Sequence, residues 1–92
     1  MSTIFTWRPG DIQALLATCE VDEVTPLIRE YFPPHGRVLE SGCGLGRFVR
    51  YLTDRGYPTL GIEWLHETLR AVHAVWPDLH LVQGDSARTP FA

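Results

Sequence analysis

The fold is decided by residues 37–46, which read RVLESGCGLG. Their first four residues form a short, largely apolar run that is typical of a buried β-strand. Gly42, Gly44 and Gly46 follow at alternate positions and predict a tight turn that lets a ligand approach the main chain, because glycine has no Cβ. From Arg47 onward apolar residues recur at helical spacing. The free amides and the positive dipole end of that helix are expected to point into the same space.

The alternation of strand and helix continues downstream. Residues 59–63 and 79–82 predict two further short strands, and residues 65–75 predict a helix that Pro77 ends. Strand, helix, strand, helix and strand within about fifty residues imply parallel pairing. We therefore predict an α/β fold, with one βαβαβ half of a doubly wound parallel sheet.

The chain ahead of this unit reads as an arm followed by helices. An amphipathic helix is expected after Asp11, and Thr25 followed by Pro26 predicts the cap and first turn of a second helix. Residues 33–36, PPHG, end it. We divide the chain into residues 1–36, an N-terminal arm with helices, and residues 37–92, a ligand-binding half.

Composition narrows the class of protein. Ninety-two residues allow one small domain, and a net charge of -3 gives no electrostatic reason to expect nucleic acid or an anionic membrane as partner. All eight basic residues are arginine. We interpret Arg47, Arg50 and Arg55 as a solvated helix face. No apolar run approaches the ~20 residues that span a bilayer, and no charged-then-apolar leader opens the chain, so a cytoplasmic location is expected.

Cysteine and histidine give no sign of a metal site or a nucleophile. Cys19 and Cys43 are not spaced as a metal-binding pair. With only two cysteines, a disulfide framework is not expected, and a reducing compartment is favoured. His66 and His73 lie seven residues apart, which is looser than the spacing of helical zinc ligands. We expect no metal and leave the catalytic residues unassigned.

Three acids follow or end the predicted strands. Glu40 ends the first, Glu63 ends the second and Asp85 follows the third. Because ligands of open parallel sheets bind outside the carboxyl ends of the strands, we expect the three carboxylates to line one crevice. The alternative is that each acid caps a helix or lies in solvent.

Three stretches together resemble a known family. Residues 38–48 (VLESGCGLGRF), 61–69 (GIEWLHETL) and 82–91 (VQGDSARTPF) are similar to the first, second and third motifs of class I S-adenosylmethionine-dependent methyltransferases. The resemblance implies a Rossmann-like methyltransferase fold, truncated after its donor-binding half, and S-adenosylmethionine as cofactor.

The resemblance also implies a role for each matching position. Glu40 and the glycine turn would hold the methionine moiety, Glu63 the ribose diol, and Trp64 the adenine face, unless Trp64 is a core residue. Asp85 would accept from the adenine amino group, with the Ser86 amide near the ring. The predicted cofactor-binding residues are Glu40, Gly42, Cys43, Gly44, Gly46, Glu63, Trp64, Asp85 and Ser86.

The expected function is S-adenosylmethionine binding within a methyltransferase that acts on a small-molecule acceptor. We expect the acceptor half to lie outside this chain, which would then be inactive alone. The alternatives are an aminopropyltransferase-like enzyme and a non-catalytic binding or assembly module. An unpaired outer edge on the first strand would also favour self-association.

Overall fold

The computed structural model describes residues 8–85 and contains four helices and three strands in that range. The helices are α1 (Pro9–Thr18), α2 (Val24–Tyr31), α3 (Arg47–Asp54) and α4 (His66–Val75), with a 3-10 turn at Cys19–Val21. The strands are β1 (Val38–Ser41), β2 (Thr59–Glu63) and β3 (His80–Gln83).

The strands form one parallel sheet in the order β1-β2-β3, which confirms the predicted βαβαβ unit. The bounds of β2 are those predicted, whereas β1 and β3 each lie one residue further along the chain than expected. Leu79, predicted to begin the third strand, instead precedes β3 and is buried in the core. The element order was therefore predictable, and the errors within the sheet lie at strand ends.

The start of α2 differs from the prediction. Thr25 is not the cap but lies inside the helix, buried, with its hydroxyl donating to the carbonyl of Cys19. Asp22 supplies the acceptor instead, because its Oδ1 receives the Val24 N–H at 2.9 Å. Since Asp22 satisfies the first amides, the helix begins two residues earlier than a Thr25 cap would allow.

The two crossover helices pack closely on the sheet face that carries Gly61. A Cβ at Gly61 would lie 2.8 Å from side-chain atoms of Val49 in α3, Cys43 and Leu81. The absence of a side chain there lets α3 approach the centre of the sheet. The buried residues of this part of the core are Cys43, Val49, Val72 and Leu79.

The N-terminal helices pack against α3 through a second cluster. Its buried members are Cys19, Ile28, Tyr51 and Leu52. Ile12 of α1 is also buried, and α1 contacts both α3 and α4. The helices before residue 36 thus share a hydrophobic core with the unit after it. The division of the chain at residue 36 stays a prediction.

The register of the sheet determines from which face the side chains of Glu40 and Glu63 project. Glu40 is level with Gly61, and Glu63 lies two residues beyond Gly61, so both carboxylates leave the helix-covered face. Leu39 and Val82 belong to the other face, where each is 43% exposed. Among residues 8–85 no helix combines the length and apolar character that crossing a membrane requires.

Candidate ligand-binding site

In the glycine turn that follows β1, the main-chain amides of Cys43, Gly44 and Gly46 donate to other groups of the protein. Gly42, Gly44 and Gly46 have φ of +67°, +56° and +71°, a left-handed backbone that side chains rarely adopt. The Cys43 N–H donates to the Ile62 carbonyl at 2.9 Å, and the Gly46 N–H to the Cys43 carbonyl at 3.0 Å. The turn is thus fixed to the end of β2 by its own backbone.

Glu63 joins the three loops that leave the strands. Its side chain accepts the Gly44 N–H at 3.2 Å through Oε1 and the Leu65 N–H at 3.0 Å through Oε2. Its main-chain carbonyl accepts the Gly84 N–H at 3.1 Å. Glu63 is only 7% exposed, so these bonds lie in a largely water-excluded position. One residue therefore holds the exits of β1, β2 and β3 together.

A cleft of about 340 Å³ opens beside this junction, and we call it the strand-exit cleft. Trp64 is 68% exposed at its wall, which excludes the interpretation of Trp64 as a core residue. The Gln83 Nε2 donates to the Trp64 carbonyl at 3.0 Å and ties this loop to the end of β3. The cleft is lined by Gly42, Ile62, Trp64, Gly84 and Asp85.

Of the three acids only Asp85 lines the strand-exit cleft, while Glu63 is buried and Glu40 lies elsewhere, which corrects the expectation that three carboxylates line one crevice. Glu40 lines a second, apolar groove of about 420 Å³ between α2, β1 and α3, which we call the β1 groove. Its Oε2 is buried and has no hydrogen-bond partner among the residues described. Burial raises the pKa of Glu40 to about 7, although the charge of Arg47 acts against this. The β1 groove is lined by Val24, Leu27, Ile28, Tyr31, Phe32, Val38, Leu39, Glu40, Phe48 and Leu52.

Cys43 lies between the two environments. Its side chain is 6% exposed and packs in the core. Burial, and then the charges of Glu40 and Glu63, raise the pKa of the Cys43 thiol to about 12. A thiol with so high a pKa is a structural group rather than a nucleophile. Both carboxylates therefore act on the glycine turn, from its two sides.

Some of the remaining positions singled out in the sequence lie within the described residues 8–85 and others do not. Ser86 and the last residues of the third motif lie outside the described residues, as does Trp7. Tyr31 is 71% exposed at the mouth of the β1 groove. Within residues 8–85 no three His, Cys, Asp or Glu side chains are close enough together to hold a metal ion. Both cysteines are free thiols.

Arg47 and Arg50 are not part of the solvated face that we expected, whereas Arg55, just after α3, is 41% exposed and pairs with Glu20. Arg47 donates to Thr18 at 2.7 Å and pairs with Asp22 at 2.9 Å, which fixes the end of α1 and the following turn to the glycine turn. The Arg50 side chain is 13% exposed and pairs with Asp78 at 2.8 Å. Arg50 also pairs with Asp54 one helical turn along, but Asp22 and Asp78 lie far away in sequence, so helical spacing alone could not reveal those ion pairs.

Sequence reasoning also gave Gly61 no role of its own. The signal was present, because a glycine inside a strand often marks a close approach of another segment. In the structure that segment is α3, as the 2.8 Å contacts of a virtual Cβ show.

Comparison with known proteins identifies this fold. No protein-family model matches the sequence, and no curated protein matches it significantly. PH0226 from Pyrococcus horikoshii OT3 is 24% identical with a TM-score of 0.73, over 88% of this chain and 40% of that protein. A TehB-like SAM-dependent methyltransferase from Corynebacterium glutamicum is 24% identical with a TM-score of 0.65, over 92% and 50%.

A third solved structure is the glycopeptide N-methyltransferase MtfA complexed with S-adenosyl-L-methionine. It is 26% identical with a TM-score of 0.62, over 75% of this chain and 34% of that protein. The chain thus spans half or less of each of these three proteins. It has the fold of the N-terminal portion of a class I S-adenosylmethionine-dependent methyltransferase domain, as the sequence motifs predict.

Proposed function

We propose that this chain binds S-adenosylmethionine in the strand-exit cleft, as the donor-binding half of a methyltransferase. The observation that carries the proposal is the meeting of Gly42, Trp64 and Asp85 in one cleft, beside the buried carboxylate of Glu63. These residues come from the exits of three different strands, where ligands of parallel sheets bind. MtfA, which this chain resembles in fold, is solved with both S-adenosylmethionine and S-adenosylhomocysteine.

The residues of the cleft fit the adenosine part of this cofactor. The exposed ring of Trp64 offers a flat apolar surface for the adenine, and Asp85 offers a carboxylate toward its exocyclic amino group. Each oxygen of Glu63 accepts one amide hydrogen bond, which leaves acceptor capacity for a ribose hydroxyl.

The methionine part would lie over the glycine turn, against residues 42–46. A buried carboxylate oxygen without a partner is costly unless a charged group meets it, and Glu40 has such an oxygen. We propose that the methionine moiety extends from the strand-exit cleft over the glycine turn toward the β1 groove, so that its ammonium group is the charge that Glu40 accommodates. The bound sulfonium supplies the methyl group, and the chain's own residues hold and orient it.

We propose a small molecule as the methyl acceptor. The chain carries a net charge of -3, and four of its arginines, Arg29, Arg47, Arg50 and Arg55, pair with acids, so residues 8–85 give no electrostatic reason to favour nucleic acid. Methyl transfer requires in-line alignment of donor and acceptor, which is positioning work. Since the chain spans half or less of the methyltransferases it resembles, we assign acceptor alignment to sequence outside residues 1–92.

Two further proposals concern the state of the chain. The two buried free thiols favour a reducing compartment, and we propose the cytoplasm.

β1 pairs only with β2 among the strands described, and its Leu39 is 43% exposed, so we propose self-association through the outer edge of β1. A concentration-independent monomer in analytical ultracentrifugation would refute self-association.

Calorimetry with pure ligands tests the cofactor. We expect saturable binding of S-adenosylmethionine and S-adenosylhomocysteine, and weaker binding of decarboxylated S-adenosylmethionine, which an aminopropyltransferase would prefer. Asp85→Ala should weaken binding about 5- to 30-fold, because one hydrogen bond to the adenine is lost. Asp11→Ala removes an exposed acid from the first turn of α1 and is the matched control.

The outcomes separate the alternatives. Binding of both ligands that Asp85→Ala weakens and Asp11→Ala does not supports the proposal. Absence of binding by the folded wild-type chain overturns it. Preference for the decarboxylated compound favours the aminopropyltransferase reading instead.

A further inference from the structure

The glycine turn differs in one respect from turns that hold phosphate. In those turns several main-chain amides are free and converge on the bound anion. Here the Cys43, Gly44 and Gly46 amides all donate to groups of the protein, and the acceptor of the Gly44 amide is the Glu63 carboxylate. The turn therefore already holds an anion, and that anion belongs to the chain.

The same carboxylate also takes the amide at the start of α4. Leu65 directly precedes α4, and its N–H donates to the second oxygen of Glu63 at 3.0 Å. Helix N-termini are the other common site for phosphate, because their amides and dipole attract negative charge. Glu63 thus removes two potential phosphate positions at once.

Burial strengthens the effect on a charged ligand. Glu63 is 7% exposed, and charges repel more strongly where water is excluded. A phosphate brought to the glycine turn or to the start of α4 would meet this carboxylate where it already binds the Gly44 and Leu65 amides, whereas a sulfonium or an uncharged group would not be repelled.

We propose that Glu63 is a positioning and specificity-determining residue that serves as the built-in anion of the glycine turn. It holds the turn and the start of α4 in place, and it makes the strand-exit cleft select adenosine compounds without a 5′-phosphate over nucleotides such as AMP. The inference rests on the proposed adenosine site but concerns its discrimination, which the proposed function leaves open.

The test uses three variants of the whole chain. Glu63→Gln keeps the shape of the side chain but offers a single acceptor oxygen for the two amides, and removes the charge. Glu63→Asp keeps the charge on a side chain one methylene shorter. Glu67→Gln removes an exposed acid from the first turn of α4 and is the matched control for charge near the same helix terminus.

Ligand binding is measured by calorimetry with S-adenosylhomocysteine and with AMP. The wild type is expected to prefer S-adenosylhomocysteine by at least about 100-fold, and Glu63→Gln to reduce this preference at least about tenfold by binding AMP more tightly than the wild type, a change of about 1.4 kcal/mol. Glu63→Asp and Glu67→Gln should keep the wild-type preference. An unchanged preference in Glu63→Gln overturns the inference.

Amide hydrogen exchange in the ligand-free protein tests the positioning role separately. The Gly44 and Leu65 amides should be protected in the wild type and exchange at least about tenfold faster in Glu63→Gln, while core amides such as that of Val49 stay protected. Unprotected Gly44 and Leu65 amides in the wild type would also overturn the inference. If the wild type fails to bind S-adenosylhomocysteine, the proposed function fails, but the exchange data and the gain in AMP binding still decide the role of Glu63.

Discussion

Glu40 and Glu63 start from the same face of neighbouring strands and end in opposite environments. Glu63 has an amide donor for each oxygen, whereas one oxygen of Glu40 is buried without a partner and its pKa is raised to about 7. The difference follows from their surroundings. Glu63 lies where three loops of the chain meet, and Glu40 lies in the β1 groove, whose lining from α2 and α3 is apolar apart from the hydroxyl of Tyr31. The carboxylate at the exit of β2 thus has a hydrogen-bond donor for each oxygen, whereas the carboxylate of β1 has one oxygen without a donor.

Substitution of Gly61 should disturb both environments and give the largest effect. Gly61 is level with Glu40 and lies two residues before Glu63, and a Cβ there would be 2.8 Å from three side chains. We expect Gly61→Ala to lower the free energy of unfolding by about 3 kcal/mol, because α3 must move away from the sheet. Chemical denaturation measures this.

Gly10→Ala is the matched control for Gly61→Ala. A Cβ at Gly10 meets nothing within 4 Å, and the residue lies in α1. Its stability should stay equal or rise by up to about 1 kcal/mol, since alanine favours helix. Equal effects of the two substitutions would show that α3 does not press on the sheet at Gly61.

The pH dependence of stability should distinguish Glu40 from an ordinary surface acid. Its folded-state pKa of about 7 exceeds the ordinary value of 4.5, so the unfolded chain releases the proton first as pH rises. Stability should therefore fall between about pH 4.5 and 7 and stay lower above pH 7. The loss should be about 1–2 kcal/mol, less than the full shift implies, because the carboxyl is partly screened by water.

Glu40→Gln should remove this fall, whereas Glu30→Gln, on the exposed side of α2, should leave the pH profile parallel to that of the wild type. Denaturation midpoints across this pH range decide the matter. A Glu40→Gln profile that still follows the wild type would place the titrating group elsewhere.

Arg47 connects the start of α3 to the N-terminal helices through Thr18 and Asp22. Its substitution should change stability less than the preceding changes. Arg47→Gln removes the pair with Asp22 at 2.9 Å and the bond to Thr18, and should cost about 1 kcal/mol of stability. Because Arg47 also lowers the pKa of Glu40, the fall in stability should move to higher pH.

The control is Arg29→Gln, whose pair with Glu20 is exposed and 3.5 Å long and whose bond to the Tyr51 hydroxyl is 3.2 Å long. It should cost less than about 0.5 kcal/mol and leave the pH profile in place. A larger loss in Arg29→Gln than in Arg47→Gln would contradict the assignment of Arg47 as the stronger link.

Trp64 should give the smallest change in stability. At 68% exposed it contributes little to the core, so Trp64→Ala should alter stability by less than about 0.5 kcal/mol. Affinity for S-adenosylhomocysteine should nevertheless fall about tenfold as the stacking surface is lost. Trp76→Ala, at a ring packed against the core, should give the reverse pattern, and identical behaviour of the two would remove Trp64 from the site.

The sequence predicted the order of elements because each element carries its own pattern. The bounds of β2 and the position of the glycine turn follow from residues close together in the chain. The exposure of Trp64 agrees with its predicted place at a strand exit. The parts that failed depend on partners far away along the chain.

Three examples show why. Thr25 is not the cap of α2 because the helix begins at Val24, whose amide donates to the Asp22 side chain. Glu40 entered the β1 groove because α2 packs beside β1, which no local pattern reveals. The bond from Gly44 to Glu63 spans 19 residues and depends on the path of the turn. Spacing can place an acid at a strand end, but its partner depends on tertiary packing.

The three bonds that meet at Glu63 have a mechanical consequence. The exits of β1, β2 and β3 are attached to one residue, so no one of these loops can be displaced without straining the other two. The cleft should consequently open as a single cooperative unit rather than fray loop by loop. A substitution in any of the three loops would then be felt by the whole recognition surface, however far it lies from the bound molecule.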